Sequence, residues 1–331
     1  MQARQTASKP GSALTSTLAF AGCMVACGCW SAAAADSAPA PVAAVGGIAA
    51  AENSIQTSQG RLFVSSDGAL YELTGEAGGS WTKSALPAKF KDGSSHACYY
   101  LGLAEYADTL YSVCTENFYD IFAPKHLMGL DLRPGAAAQL REVGPLSEIG
   151  SPNGLGSDGA GHLYYANFGI FYPGSIHRIT LSGRWSLSED VAVLHYRNLN
   201  PNGLKVSHGS LYVSGDPILD IGVSQLIRYR LVDGRPTDAK LIYQAFATFD
   251  DFALLEGGGI LLAEFLWGQL VDIDEDSGKL LHTLPIKTPT SVQVITPGTG
   301  AESASSLLLV TERGGNQAQL LTNPWGLEPR D

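Results

Sequence analysis

One short strand pattern recurs along the chain and constrains its fold more than any other feature. The pattern is an apolar segment such as Leu-Tyr-Val, and it occurs six times at intervals of 48, 53, 48, 49 and 48 residues. The six repeated strands begin at Leu62, Leu110, Leu163, Leu211, Ile260 and Leu308. A strand-rich repeat of roughly 40 to 50 residues is the length of one four-stranded propeller blade. The repeat therefore predicts an all-β fold, a six-bladed β-propeller with four-stranded antiparallel blades.

Turn residues support this prediction. The chain of 331 residues has 38 glycines, 17 prolines and only 16% charged residues. Many tight turns need Gly and Pro, whereas exposed helix faces would need more Lys and Glu. We expect residues 36–331 to form one propeller domain, with residues 41–50 adding a strand to the last blade to close the ring.

The first 35 residues have the layout of a secretory signal peptide. They contain Arg4 and Lys9 but no acidic residue, and an apolar stretch over 14–30 is followed by small residues up to Ala35. A lipoprotein signal at Cys23 or Cys27 is an alternative. We therefore expect an exported protein, periplasmic or secreted, with no membrane contact except a lipid anchor if that alternative holds. The net charge of −11 argues against nucleic acid or an anionic membrane surface as a partner.

Removal of such a signal would leave two cysteines, Cys98 and Cys114. The apolar runs between them flank a polar turn near Tyr106, which would place the two residues opposite each other across a β-hairpin. In an oxidising compartment this pairing favours a disulfide. Two buried thiols are the alternative, because cysteine is often simply a core residue.

Counting back from the repeated strands identifies a set of polar residues at one structural position. Each lies nine or ten residues before the start of a repeated strand, and they are Glu52, Asn153, Asn202 and Asp250. In a propeller this position opens the innermost strand, so the four side chains should converge on the central axis. For the two Asn-Gly pairs alone, a tight turn is the competing interpretation.

Two carboxylates and two amides without Cys or clustered His form a hard-oxygen site, which suits one divalent cation. We expect Ca²⁺, because it tolerates an irregular cage better than Mg²⁺ does; Mn²⁺ and Zn²⁺ are alternatives. The predicted metal ligands are thus Glu52, Asn153, Asn202 and Asp250.

Four segments resemble inner-strand motifs of the gluconolactonase and regucalcin (senescence marker protein) family, which is related to the paraoxonases and strictosidine-synthase-like proteins. They are ENSIQTSQGRLFVSS, SPNGLGSDGAGHLYYAN, NPNGLKVSHGSLYVSG and FDDFALLEGGGILLAEF. The resemblance implies that Glu52, Asn202 and Asp250 bind a catalytic metal and that Asn153 contacts substrate or metal. It also implies a metal-side role for Asp251, and hydrolysis of lactones or esters as the activity.

Some features depart from those relatives. The paraoxonase catalytic histidine has no match in the second blade, where His96 is interpreted as a solvated loop residue, and the arginine that binds sugar acids in gluconolactonases has no obvious counterpart. Four aromatic residues are expected instead to form an apolar wall of the site, with packing in the core as the alternative. They are Tyr99, Tyr100, Phe168 and Trp267. Of these, Tyr99 and Tyr100 are the predicted substrate contacts.

The sequence thus predicts a metal-dependent hydrolase of a small-molecule lactone or ester, with Asp250 or Asp251 activating water. A Ser hydrolase is not expected, because no Gly-x-Ser-x-Gly motif is present. The alternative is a non-catalytic exported propeller whose central ion is structural and which binds a protein or small ligand.

Overall fold

A computed structural model describes residues 40–75, 79–94, 96–146, 149–169, 171–218, 222–296 and 306–330. All of these residues belong to one compact unit of the chain. The predicted signal peptide, Cys23 and Cys27 lie outside the described residues. The signal and its boundary at residue 35 stay predictions. No helix among the described residues is both long enough and apolar enough to span a membrane.

The described residues form six antiparallel sheets, which confirms the predicted six-bladed β-propeller. In the first three blades the strands run outwards from the axis in chain order. Blade one contains β2 (Ser54–Gln56), β3 (Leu62–Ser65), β4 (Leu70–Thr74) and β5 (Thr82–Ala85). Blade two contains β7 (Tyr99–Tyr106), β8 (Thr109–Thr115), β9 (Lys125–Asp131) and β10 (Leu140–Leu146), and the two-residue β6 (Ala88–Lys89) pairs with β10 in parallel. Blade three contains β11 (Ser151–Ser157), β12 (His162–Phe168), β13 (Ser175–Gly183) and β14 (Ser186–His195).

The remaining blades follow the same order. Blade four contains β15 (Leu199–Ser207), β16 (Ser210–Pro217), β17 (Val223–Val232) and β18 (Arg235–Phe246). Blade five contains β19 (Phe249–Leu254), β20 (Gly259–Glu264), β21 (Gln269–Asp274) and β22 (Leu280–Pro285), and a single 3₁₀ turn, Glu256–Gly258, joins β19 to β20. Blade six contains β23 (Pro289–Ile295), β24 (Leu307–Glu312), β25 (Gln317–Thr322) and, as its outermost strand, β1 (Pro41–Gly46).

The strand β1 closes the ring. It pairs antiparallel with β25, with Val45 opposite Ala318. Three strands from the end of the chain thus share a sheet with the first described strand, as predicted for residues 41–50. Closure also brings the innermost strands into mutual contact around the axis, in the order β2, β7, β11, β15, β19, β23 and back to β2.

The hydrophobic core lies between adjacent blades. Phe63 of blade one, for example, packs in one buried cluster with Leu103 and Met128 of blade two. Near the axis the packing is backbone against backbone. A Cβ atom on Gly154 would lie 2.3 Å from the backbone nitrogen of Leu204 in the next blade, and one on Gly203 would lie 2.7 Å from Cα of Asp251.

The predicted disulfide is present. Cys98 and Cys114 are bonded, with their Cα atoms 5.7 Å apart, and join the residue before β7 to β8. The hairpin turns at Ala107 and Asp108, slightly later than the predicted turn near Tyr106. Cys114 therefore pairs with Tyr100 rather than standing directly opposite Cys98, and one extra residue in β7 follows Tyr100.

Candidate metal centre

One position on each inner strand faces the axis. In five blades the residue just before this position pairs with the neighbouring strand, at the fifth residue counted from the start of the repeated pattern. The pairing register of the two strands then shifts directly after that residue. In blade one the N–H of Glu52 donates to Ser65 O at 3.0 Å, which gives Glu52 the equivalent place. The six residues at this position are Glu52, Leu101, Asn153, Asn202, Asp250 and Thr290. The predicted common position of the four polar residues is therefore observed.

These four residues line one cavity of about 120 Å³ at the centre of the ring. The cavity is bounded by Glu52, Phe118, Asn153, Phe168, Asn202, Asp216, Thr248, Asp250, Phe265 and Arg313. Backbone hydrogen bonds hold the polar residues in place. Thr311 Oγ1 donates to Glu52 O at 2.8 Å, and Ser214 Oγ donates to Asp250 O at 2.5 Å.

Each of these four cavity residues has a buried side-chain oxygen without a hydrogen-bond partner. Buried atoms without a hydrogen-bond partner include Glu52 Oε2, Asn153 Oδ1, Asn202 Oδ1 and Asp250 Oδ1. The amide of Asn202 is oriented, because its Nδ2 donates to Phe249 O at 3.3 Å and leaves Oδ1 for the cavity. Buried acceptors without a donor are destabilising and require an explanation such as an ion or ordered water.

The cavity carries excess negative charge. Three carboxylates line it, those of Glu52, Asp216 and Asp250, against one guanidinium, that of Arg313. Arg313 Nη1 lies 3.7 Å from Glu52 Oε2. Burial raises the pKa of Glu52 to about 7 although Arg313 opposes the shift. Burial, and after it the Glu52 carboxylate, also raise the pKa of Asp250 well above its ordinary value.

Asp251 does not face the cavity with Asp250. Successive side chains on a strand point to opposite faces, and Asp251 Oδ2 instead accepts a hydrogen bond from Lys205 Nζ at 2.6 Å. Burial raises its pKa, and Lys205 opposes that rise. Of the two residues, only Asp250 lines the central cavity, and the catalytic role of either stays a prediction.

The two predicted tyrosine contacts are also separated by strand alternation. Tyr99 packs beside the cavity, with its ring 5.3 Å from that of Phe118 and 5.9 Å from the Arg313 guanidinium carbon. Tyr100 packs instead into the core between blades one and two. Tyr100 therefore does not line the central cavity, and its contact with a substrate stays a prediction.

Of the remaining aromatic residues expected to form the wall, and His96, only Phe168 lines the central cavity. Phe168 lines the cavity, as expected for an apolar wall, whereas Trp267 is 58% exposed at another part of the surface. His96 lies in the loop before β7, between Asp92 and Glu116 at 3.2 Å from each, and borders a surface depression with Tyr100. Its position agrees with the interpretation as a loop histidine.

Sequence reasoning considered Phe168 but missed the other cavity residues at the same place in the repeat. Counting five positions forward from Leu163, Leu211, Ile260 and Leu308 gives cavity residues in each case, namely Phe168, Asp216, Phe265 and Arg313. The same period that identified the inner strands thus also marks the ends of the second strands.

Among the described residues, no three or more His, Cys, Asp and Glu side chains form a group that could hold a metal. An ion in the central cavity would therefore depend on the two amide oxygens as well as the carboxylates. That donor set is entirely oxygen and fits a hard cation.

Comparison with known proteins supports the fold. The sequence matches no protein-family model and no curated protein. A gluconolactonase from Xanthomonas campestris superimposes with a TM-score of 0.63 at 17% identity, covering 85% of this chain and 88% of that one. A calcium-binding regucalcin from Agrobacterium tumefaciens gives 0.58 at 19% identity, covering 83% and 90%. A nidogen/laminin complex structure gives 0.57 at 13% identity, covering 82% and 92%. The predicted resemblance to gluconolactonase and regucalcin propellers is thereby confirmed as a likeness of fold.

Proposed function

We propose that this protein is a divalent-cation-dependent hydrolase of a small lactone or related ester, with calcium as the ion. The observation that carries the proposal is that four residues lining one cavity, Glu52, Asn153, Asn202 and Asp250, each have a buried oxygen without a hydrogen bond. Fold likeness to a gluconolactonase and a regucalcin supports it.

Charge supports a divalent ion. With all three lining carboxylates ionised and Arg313 protonated, the cavity carries a charge of −2, which a divalent cation neutralises. Four protein oxygens leave room for further ligands, and calcium takes six to eight oxygens in irregular geometry. Without a cation, burial and mutual repulsion favour protonation of Glu52 and Asp250.

When bound, the ion would supply charge stabilisation for a polarised carbonyl oxygen. The chain's own groups provide the rest of the chemistry. Asp250 would hold a water molecule through the carboxylate oxygen that does not bind the ion, and would accept its proton as the water attacks. Arg313 would bind the carboxylate that forms when a lactone or ester is cleaved, since guanidinium and carboxylate geometries match. Phe118, Phe168 and Phe265 limit the access of bulk water.

Asp250→Asn tests this proposal. The substitution preserves side-chain shape but removes one charge from the cavity and the proposed base. We expect weaker calcium binding by titration calorimetry, and a rate about 10²- to 10⁴-fold lower at matched calcium occupancy. Hydrolysis of a lactone panel, with and without chelator, measures the rate.

Asp272→Asn is the matched control, because Asp272 is also a buried strand carboxylate, 3% exposed, but lies outside the cavity lining. It should retain wild-type calcium affinity and rate. Equal rates for wild type and Asp250→Asn at saturating calcium would exclude Asp250 as the base.

A binding propeller is the second candidate. Exposed aromatic residues near the cavity favour it, because Tyr119 is 76% exposed and lies 5.4 Å, ring to ring, from the cavity residue Phe118. A protein that binds calcium but hydrolyses no lactone or ester in the panel would support this function over catalysis.

We also propose that the protein acts outside the cytosol, after export to the periplasm or the exterior. The signal-like layout of residues 1–35 and the Cys98–Cys114 disulfide support this location, since disulfides persist in oxidising compartments.

A further inference from the structure

Blade three contains a chain of hydrogen bonds that joins a serine, a histidine and an aspartate. Ser175 Oγ lies 3.2 Å from His177 Nε2, and His177 Nδ1 lies 2.9 Å from Asp190 Oδ1. The Ser175 residue is 5% exposed, and the side chains of His177 and Asp190 are 2% and 6% exposed. Water therefore has little access to compete for these hydrogen bonds.

Strand geometry produces this arrangement. Ser175 and His177 are two residues apart on β13, so their side chains share one face, and Asp190 reaches them from the adjacent β14. Tyr165 of β12 completes the layer. Its ring stacks on His177 at 4.7 Å between centroids, and its hydroxyl donates to Asp190 Oδ2 at 3.1 Å.

The hydrogen bonds fix the roles of the histidine nitrogens. An ionised Asp190 can only accept, so Nδ1 carries a proton and donates to it. In the neutral ring Nε2 is then an acceptor, and the hydroxyl that it can accept from is that of Ser175. This is the tautomer and orientation in which histidine acts as the base for a serine nucleophile.

The serine also borders a cavity separate from the central one. This second cavity has a volume of about 400 Å³ and is lined by Ser175 together with Asn167, His195 and apolar residues. Among its lining side chains Phe122 is 70% exposed, and Ile149 and Tyr172 are each 56% exposed. Exposed apolar side chains around a concave site indicate an apolar ligand.

We infer that Ser175, His177 and Asp190 form a second, metal-independent hydrolytic site, for esters with an apolar acyl chain. The chain would lie against Phe122, Ile149 and Tyr172, with the ester carbonyl at Ser175. A serine triad is recognised by geometry rather than by sequence motif, so the missing Gly-x-Ser-x-Gly pattern does not exclude it.

The chemistry requires only the ester and water. Ser175 Oγ bonds to the carbonyl carbon as its proton passes to His177 Nε2; the bond to the alcohol oxygen then breaks, and that oxygen takes the proton. Water next attacks the acyl carbon and gives one proton to His177. The bond to Oγ breaks, and Oγ recovers that proton. Asn167 Nδ2, which donates to Ser175 Oγ at 3.3 Å, would supply a nearby amide N–H to the developing oxyanion.

Covalent labelling of the full chain in EDTA tests this inference. An activated serine reacts with a fluorophosphonate probe, so intact mass should show one adduct, and peptide mapping should place it at Ser175. Hydrolysis of p-nitrophenyl butyrate should persist in EDTA, which separates this site from the proposed calcium site.

Variants separate catalysis from structure. Ser175→Ala should abolish the adduct and lower the EDTA-resistant rate by about 10³-fold or more. Asp190 is a positioning residue, and Asp190→Asn should lower kcat with little change in KM. Ser306→Ala is the matched control, because Ser306 is 7% exposed and also accepts from an asparagine amide, at 2.8 Å from Asn323 Nδ2. This control should label and hydrolyse like wild type.

The absence of an adduct at Ser175 in folded wild-type protein would overturn the inference, whether or not Ser175→Ala folds. Equal labelling rates in wild type and His177→Gln would also overturn it, since the serine would then react without its base. In either case the three residues would form a structural hydrogen-bond network.

Discussion

Glu52 is 2% exposed, and the one cation near its free oxygen is Arg313, at 3.7 Å in the described part of the cavity. An ionised carboxylate in such a place loses most of its hydration, and one distant guanidinium does not replace it. The residue therefore depends on protonation or on a bound cation. Asp250 is in the same situation, with the Glu52 carboxylate as an added source of repulsion.

A pH dependence of stability follows for the calcium-free protein. Folding raises the pKa of Glu52 from 4.5 to about 7, so the folded state binds more protons than the unfolded state within that window. The contribution of Glu52 to the free energy of unfolding should therefore be largest below pH 4.5. It should fall by on the order of 3 kcal/mol as pH rises to 7. Asp250 acts in the same direction. Urea unfolding of chelated protein between pH 4.5 and 8 measures the slope.

Glu52→Gln should reduce this slope, whereas Glu256→Gln, at an exposed residue, should leave it unchanged. Calcium should restore stability at pH 7 to 8, because a ligand that binds only the folded state stabilises it. If the stability of chelated wild-type protein did not fall as pH rises, folding would not raise the pKa of Glu52 and Asp250. The prediction would then be wrong.

At the scale of single elements, the inner strands explain both Asn-Gly pairs. The competing interpretation was a tight turn, but Asn153-Gly154 and Asn202-Gly203 lie inside β11 and β15. Neither Gly154 nor Gly203 has a positive φ. Glycine is needed because the backbone of the next blade occupies the space where a side chain would begin.

Gly154→Ala should therefore destabilise the ring and displace Asn202. Its Cβ would lie 2.3 Å from Leu204 N and 2.6 Å from Asn202 O, and neighbouring backbone cannot move as a flexible side chain does. We expect a loss of about 1–3 kcal/mol, as for overpacking in a core, together with weaker calcium binding. Thermal unfolding and calorimetry measure both effects.

Gly183→Ala is the matched control, since a Cβ there would meet nothing within 4 Å and φ is not positive. It should keep wild-type stability and affinity. If Gly154→Ala matched this control in stability and calcium affinity, β11 and β15 would be able to move apart without loss of stability.

The element scale also shows what the sequence could and could not predict. Periodicity predicted the blades, the closing strand and the four converging oxygens, because each is fixed by chain position within a repeat. Arg313 and Asp216 obey the same period but were missed, since the period was counted only backwards from the repeated strands. Spacing could not predict that Tyr100 and Asp251 lie off the central cavity, because the face of a side chain depends on a one-residue register that spacing alone does not resolve. The Ser175–His177–Asp190 cluster joins two neighbouring strands through contacts that no motif marks.

At the scale of the whole molecule, the ring is held closed by the segment around β1. Ile48 is fully buried and packs among residues of blades six and one, including Leu320 and Val64. Its N–H donates to Asn316 O at 2.8 Å. A single buried cluster thus joins the two ends of the described chain.

Ile48→Ala should lower the free energy of unfolding by about 2–5 kcal/mol, as for other buried Ile-to-Ala changes. Because closure joins all six blades, far-UV circular dichroism and tryptophan fluorescence should report the same shifted urea midpoint. Ile273→Ala, at a fully buried residue of blade five, provides the comparison within a blade. An unchanged midpoint for Ile48→Ala would show that β1 frays without opening the ring.

Ring closure also sets an order of events during synthesis. The strand that β1 pairs with is β25, so β1 leaves the ribosome with its partner almost the whole chain length away. Such distant pairing makes folding slow, because a long loop must close before the contact stabilises anything. Five blades can form from neighbouring residues while the sixth waits for the last strand. A nascent chain therefore keeps an open ring until its last strands have been synthesised, and the proposed export would require such an unclosed chain.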